Sequence, residues 1–537
     1  MADWTVNAVF DAVAAAVPHR TMTVCGSRRS TFAESRALIR TLARFLVGCG
    51  LGVQRPRAGL TRWECGQDRV ALIMHNDAYV EAVLACLRAR VVPVNVNHLY
   101  TAGEVRDLLD YIGPTGVIYH RSLAPLVHAA LPAGCDVRIA VDDGGIEALL
   151  PGTVRLDDIT VDPVEPEPAG APDDLMMVCT GGTTGRPKGV MWRQADAYIS
   201  TMTGTEHNSV ESITESVAAQ SNPFFAVSPL MHTAGLSTAL TAVLMGRTAI
   251  VYDNRRRFDP AVVWRTAEQE RAVVMSIVGD AYAGPLADEL SRSRYDLAAL
   301  TRIGTGGAAT HPKHKRRLLR HLPHATIADT YGSSETGGMA GGASCADGET
   351  TPMVMHPTGA VASADRTRFL EPGDPEIGWV ARIGRVPLGY FGDRAATERT
   401  FPEIGGRRAA IPGDRARLLS DGTIEFLGRD SLVINTGGEK VFVEEVEKVL
   451  TGHPAVVDAV VTRRPHERWG SAVVAVVVLA PGDSLTVQPA AAIREFCAER
   501  LAGFKVPKDI VIVEQIRRLG NGKADYRWAQ QIAARGS

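Results

Sequence analysis

Apolar positions along this chain alternate between two periods. Between residues 34 and 48, Leu38, Leu42, Phe45 and Leu46 fall on one face of a 3.6-residue repeat and Gly48 supplies a stop, which predicts a helix. The apolar run at 69–75 then predicts a buried strand, 78–90 a helix, 91–97 a strand and 103–112 a helix. Strands that alternate with helices in this way predict a parallel, doubly wound α/β sheet.

Three segments break the alternation. Residues 54–67 are polar and carry helix breakers, so they predict a surface excursion, and the proline- and acid-rich stretch 161–174 predicts an extended connector. The glycine-rich stretch 337–349 predicts a mobile loop.

Near Gly428 the texture changes. Asp421 and Gly422 sit between two short apolar runs and predict a hairpin turn, and a glycine-bearing junction follows at 428–440. Beyond it come a helix at 443–450 stopped by Gly452 and Pro454, strands at 456–462 and 471–480, a helical face through Ile493, Phe496, Cys497 and Leu501, and a strand at 509–513. The expectation is a large N-terminal domain, 1–428, and a small α+β C-terminal domain, 432–537.

A chain of 537 residues exceeds what one hydrophobic core serves. A net charge of −2 leaves no electrostatic footprint for nucleic acid or a polybasic membrane contact, so the expected partners are small molecules. The first residues lack a basic region followed by an apolar core, and no apolar run reaches the roughly 18 residues of a transmembrane helix, so a cytoplasmic location is expected. Eight cysteines stand without any C-x-x-C pair and read as reduced, mostly buried thiols.

The candidate chemistry begins at 175–190, LMMVCTGGTTGRPKGV. A short apolar run feeds Thr180, Gly181, Gly182, Thr183, Thr184 and Gly185, and Lys188 closes the loop. Glycines let backbone N–H groups approach anionic oxygens, threonine hydroxyls add donors and the lysine adds charge, which is what a phosphate needs. Arg186 and Pro187 stand between Gly185 and the lysine, so this is not a Walker A loop. A second stretch, IGTGGAA at 303–309, is ambiguous: Gly304, Gly306 and Ala309 spell G-x-G-x-x-A and Asp329 follows, as in a dinucleotide fingerprint. Against that, His311 to His314 do not look like the opening of a tightly packed helix, and an NAD-dependent dehydrogenase stays as an alternative.

The 180–188 loop closely resembles the signature of the adenylate-forming superfamily, which includes acyl-CoA synthetases, adenylation domains and firefly-type luciferases. The resemblance runs nearly the whole chain, and GVMWRQ, GRDSLVINTGGEKVF and GKADYRW are similar to an actinobacterial fatty acyl-CoA synthetase group that includes steroid side-chain ligases. It implies a large N-terminal α/β domain of doubly wound sheets plus a barrel-like β subdomain, with a small mobile α+β C-terminal domain. Its cofactors would be ATP, Mg²⁺ and coenzyme A, its partner a carboxylic acid, and it leaves a homodimer open.

Residue by residue, the resemblance makes Glu335 of YGSSETG the Mg²⁺ ligand and places Tyr331, Gly332, Ser333 and Ser334 around the nucleotide, with Tyr331 against adenine. Gly306, Gly307 and Ala308 would line the adenine. Asp414 would hold the ribose hydroxyls, Arg429 would be a second ribose or phosphate contact, and residues 429–431 would form the hinge, where Ser431 replaces the usual aspartate or lysine. Gly437 and Gly438 would close on the pantetheine arm, and Lys523 would be the catalytic lysine. His232 would stand at the carboxylate end of an acyl pocket, with the small residues Thr233, Ala234, Gly235, Gly279, Gly304 and Gly306 leaving room for a bulky or long acyl group. The implied reaction activates an acid as acyl-AMP and passes it to CoA; the other reading within the superfamily loads a carrier protein.

Overall fold

The computed structural model describes residues 3–161, 168–181, 187–202, 204, 209–218, 221–255, 257–308, 310–346, 350–429, 432, 434–436, 439–466, 470–480, 489–519 and 523–535. They form two compact units, one of residues 1–359 and 382–410, the other of 360–381 and 411–537.

The first unit holds two mainly parallel sheets. In the eight-stranded sheet, parallel strands at Arg69–Ile73, Val92–Asn95, Gly116–His120, Val137–Val141, Thr153–Arg155 and Leu175–Gly181 are followed by antiparallel Pro187–Arg193 and the short edge strand Gly389–Tyr390. The nine-stranded sheet has a parallel centre of Thr21–Cys25, Ala249–Val251, Phe224–Ala226, Val274–Ile277, Arg302–Gly306 and Thr326–Ser333, with antiparallel strands at both edges.

Strand alternation assigns each sheet face its core. Val70 and Leu72 point into a core shared with Met22, Ala226 and Val251 of the other sheet and with the helices Val6–Ala16, Phe32–Gly48, Tyr79–Arg88 and Thr233–Leu244. Their neighbours Ala71 and Ile73 face a second core under Ala102–Ile112 and Ala124–Ala130. Phe225, Ile250, Met275 and Ile303 face a third, under Pro260–Gln269, Gly279–Leu290 and Pro312–His321. The doubly wound expectation holds, and so do the helices expected at 34–48, 78–90 and 103–112. The first of these starts at Phe32, one residue after Thr31, whose hydroxyl accepts from Glu34 N while the Glu34 carboxylate accepts from Thr31 N.

Two expectations are corrected. The stretch expected as a mobile loop at 337–349 is a strand, Gly337–Ser344, paired on both sides, with 347–349 outside the described residues. Its glycines serve close backbone approach: a Cβ on Gly342 would lie 3.0 Å from Thr351 O, and one on the facing Gly332 would lie 2.1 Å from Gly337 O. Second, His311 does open a helix, Pro312–His321, by accepting from Lys313 N at 3.0 Å. The helix pattern was hidden because only Leu318 and Leu319 of it are buried. The 54–67 excursion is exposed over its first half but folds inward at Cys65 and Gln67.

In the second unit, Ile377, Gly378 and Trp379 pair with Arg417, Ala416 and Arg415, and the strand Asp414–Leu418 pairs with Ile424–Arg429. A three-stranded sheet of Val456–His466, Gly470–Leu479 and Asp509–Ile512 packs one face on the helices Val443–Thr451 and Pro489–Ala498 and the other on Tyr526–Arg535. Glu447 is half-buried within this unit, where it accepts from Val461 N at 2.8 Å and from the Tyr526 hydroxyl at 3.1 and 3.2 Å. Burial pushes its carboxyl up to about 8.

A carboxyl whose folded value lies above the ordinary 4.5 holds its proton better in the folded state, so its contribution to stability is full below 4.5 and is lost as pH rises towards 8. Glu447→Gln keeps both acceptor contacts and removes the titration. Melting curves between pH 5 and 8 are therefore expected to decline with pH in the native protein and to flatten in the variant.

Candidate active site

The sequence-predicted residues of the first unit gather at the carboxyl edge of the nine-stranded sheet, where open α/β sheets bind ligands. Gly306 ends one strand, with Gly307 and Ala308 just beyond it. Tyr331, Gly332 and Ser333 end the next strand, Thr326–Ser333, and Ser334 and Glu335 form the turn that follows. His232 lies at the same edge, as the residue that precedes the helix Thr233–Leu244. A Cβ on Gly306 would lie 2.9 Å from Thr330 O, so that glycine lets the two strand ends close together.

The phosphate-loop candidates belong to a hairpin. Thr180 and Gly181 end the strand Leu175–Gly181, and Lys188 stands opposite Thr180 on the return strand. Gly182, Thr183, Thr184 and Gly185 lie outside the described residues. Burial pushes the Cys179 thiol up to about 12, away from the thiolate form.

Side chains that sequence reasoning passed over join these pieces. The Tyr390 hydroxyl donates to Glu335 Oε1 at 2.9 Å, and Lys188 Nζ stands 5.0 Å from the centre of the Tyr390 ring. Trp192 Nε1 donates to Ser334 O at 2.9 Å, and the Ser334 hydroxyl is 3.2 Å from Thr233 Oγ1, which ties the turn carrying Glu335 to the helix that follows His232. Asn95 accepts from Cys179 N at 2.9 Å and donates to Met231 O at 2.6 Å, so one amide links the phosphate-loop strand to the residue before His232. The signal for Asn95 was a polar residue inside the apolar strand VPVNVN.

His232 also borders a pocket whose walls are mostly apolar. Leu72, Tyr79, Val83, Met176, Met177, Val178, Trp192, Met202, Met231, Leu236 and Leu240 line it. Of the small residues expected to make room for an acyl group, Thr233 lines it, and Ala234, Gly235, Gly279, Gly304 and Gly306 do not. Gly235 is small for another reason: its Cβ would lie 2.5 Å from Ser228 O.

The dinucleotide alternative loses its acid. Asp329 is ion-paired with Lys315 of the helix Pro312–His321, which leaves it engaged within the protein instead of facing a ribose. Among the described residues no group of three or more His, Cys, Asp or Glu side chains is gathered for a metal.

In the second unit, Asp414 is buried and lies directly across the strand pair from Arg429, so the two expected ribose contacts are cross-strand neighbours. Gly437, Gly438 and Ser431 fall outside the described residues. Lys523 is exposed on a hairpin closed by Leu519 N to Lys523 O at 2.8 Å and by Asp525 N to Arg517 O at 3.0 Å. Arg518 pairs with Asp458 at 2.6 Å, and Asp525 accepts from Trp528 N at the start of the helix Tyr526–Arg535.

Residues 10–374 match the AMP-binding enzyme family and residues 445–523 the AMP-binding enzyme C-terminal domain. The chain is 41% identical to the medium-chain acyl-CoA ligase Mig of Mycobacterium avium, over 99% of both chains. It is 34% identical to the 3-oxocholest-4-en-26-oate–CoA ligase of Rhodococcus rhodochrous, over 96% of this chain and 93% of that one. Its fold is similar to that of ATP-bound MatB from Rhodopseudomonas palustris, with a TM-score of 0.79 at 23% identity over 98% of this chain and 99% of that one. From its paired domain matches and its full-length likeness to acyl-CoA ligases, the chain belongs to the AMP-binding, adenylate-forming enzymes.

Proposed function

We propose that this protein is an acyl-CoA synthetase that activates a medium-chain fatty acid with ATP, releases pyrophosphate and transfers the acyl group from the adenylate to CoA. The observation that carries the reading is the apolar pocket that starts at His232, beside the turn that holds Glu335 and its partner Lys188–Tyr390 pair. An acid whose tail fills that pocket presents its carboxylate at the edge where the nucleotide's phosphates are expected. The names of the full-length relatives support the same class of substrate.

In this reading the 180–188 loop cradles the phosphates and Lys188 offsets their charge. Tyr331 and the 306–308 strand end face adenine, Asp414 and Arg429 take the ribose, and Gly437 and Gly438 border the pantetheine. Mg²⁺ fits the donor set: it is usually held by one or two carboxylates with substrate phosphates and water completing its shell, and Glu335 is a single carboxylate with a second oxygen available beside Oε1. Bound there, the ion would screen phosphate charge.

Lys523 stabilises the charge that builds as the carboxylate attacks the α-phosphate. The domain of residues 432–537 turns about 429–431 between adenylation and thioester formation, in the cytoplasm.

Pyrophosphate release measured with a series of acids, with and without CoA, tests this. Straight-chain acids are expected to lower KM about fourfold per added methylene until the pocket is full, since each buried methylene is worth about 0.8 kcal/mol. Fast turnover only with CoA supports the ligase. A single burst that CoA does not sustain replaces it with carrier loading, and preference for a steroid side-chain acid replaces the fatty substrate. Lys523→Ala is expected to slow adenylate formation by about 100- to 1,000-fold with little change in the binding of ATP, read by pyrophosphate exchange.

A further inference from the structure

We propose that Tyr390 is a positioning residue that couples the phosphate-binding lysine to the metal-binding carboxylate, and that the 54–67 excursion is the brace that holds it there. This rests on the reading of Lys188 and Glu335 given above.

One side chain reaches both groups by different chemistry. Its ring face lies 5.0 Å from Lys188 Nζ, within the roughly 6 Å over which a ring attracts a cation. Its hydroxyl donates to Glu335 Oε1 at 2.9 Å. A lysine and a glutamate that must both meet a nucleotide's phosphates lose that capacity if they pair with each other. Tyr390 gives the cation a ring and the anion a hydroxyl, and it fixes one carboxylate oxygen while the other stays available.

Tyr390 is held from several sides. Its strand pairs with the one that carries Lys188, with Tyr390 opposite Val190, and its N–H donates to the buried Thr397 hydroxyl at 2.9 Å. The Tyr111 hydroxyl accepts from Gly189 N at 3.1 Å and donates to Phe391 O at 2.6 Å, so the residues next to Lys188 and Tyr390 share one anchor. The excursion grips the far side. Trp63 O accepts from Gly392 N at 2.8 Å, the Arg62 guanidinium donates to Phe401 O at 3.0 Å, and Arg394 lies over the Trp63 ring. Gly389 fits because a Cβ there would lie 3.0 Å from Arg62 O and closer still to the Thr397 side chain.

The test compares Tyr390→Phe, which keeps the ring and removes the hydroxyl, with Tyr390→Leu, which removes both. Binding of α,β-methylene-ATP is measured by calorimetry across a Mg²⁺ series, alongside pyrophosphate release. Tyr390→Phe is expected to raise the Mg²⁺ needed for half-maximal nucleotide binding and turnover by about tenfold, with kcat at saturating Mg²⁺ within about twofold of the native value. Tyr390→Leu is expected to weaken nucleotide binding about fivefold more at saturating Mg²⁺. In a Glu335→Gln background, removing the hydroxyl is expected to change the Mg²⁺ dependence no further.

Native Mg²⁺ dependence in a Tyr390→Phe protein that melts like the native one overturns the proposal, and so does simple additivity of the Tyr390→Phe and Glu335→Gln effects. For the brace, Arg62→Ala is expected to shift the Mg²⁺ dependence in the same direction, and an unchanged dependence removes that part. Absence of pyrophosphate release by the native protein with every acid sinks the ligase reading instead, while the calorimetry still decides the role of Tyr390.

Discussion

The side-chain amide of Asn95 is the contact on which the first unit's site depends. It accepts from the strand that leads into the phosphate loop and donates to the carbonyl of Met231, so two separate sheets are held in one register at the edge where His232, Ser334 and Glu335 meet. Asn76 makes a similar link, with its carbonyl oxygen accepting from Leu230 N at 2.9 Å and its amide donating to Tyr252 O at 2.7 Å. Asn76 is buried and Asn95 half-buried, and a shielded amide left without partners costs about 1–3 kcal/mol, so each holds its neighbours in place.

Within that frame the charged groups are kept apart by an aromatic side chain. Lys188 and Glu335 each meet Tyr390, whose position is set by Thr397, Tyr111 and the excursion at Trp63. The surface excursion thus reaches the strand of Tyr390 through a backbone hydrogen bond from Gly392 N to Trp63 O. The apolar pocket begins on the other side of the same turn, at His232 and Thr233.

The second unit uses a different device. Lys523 sits on a hairpin tied to Asp458 through Arg518, and the helix that follows starts at Tyr526, whose hydroxyl rests on Glu447. A carboxyl held near 8 by burial is a neutral acceptor over most of the physiological range, and it anchors that helix without an ion pair.

Local motifs stand out in the sequence. Thr180 to Lys188, the Tyr331 to Glu335 turn, Asp414 and Lys523 stand in motifs whose residue types and spacing are short-range facts, and the alternation of strand and helix between 69 and 112 gave the doubly wound sheet. What the sequence could not give were contacts between distant residues. Tyr390 meets Glu335 across 55 positions and Trp192 meets Ser334 across 142, distances over which no periodicity carries information. The glycines at 337–342 read as a loop because composition does not say that another backbone approaches them, and Gly235 read as acyl space when it faces Ser228 O. Sequence by itself determined which chemical groups the chain owns and in what order. The tertiary structure alone decided which of them touch, because burial and hydrogen bonding are satisfied between elements that only folding brings together.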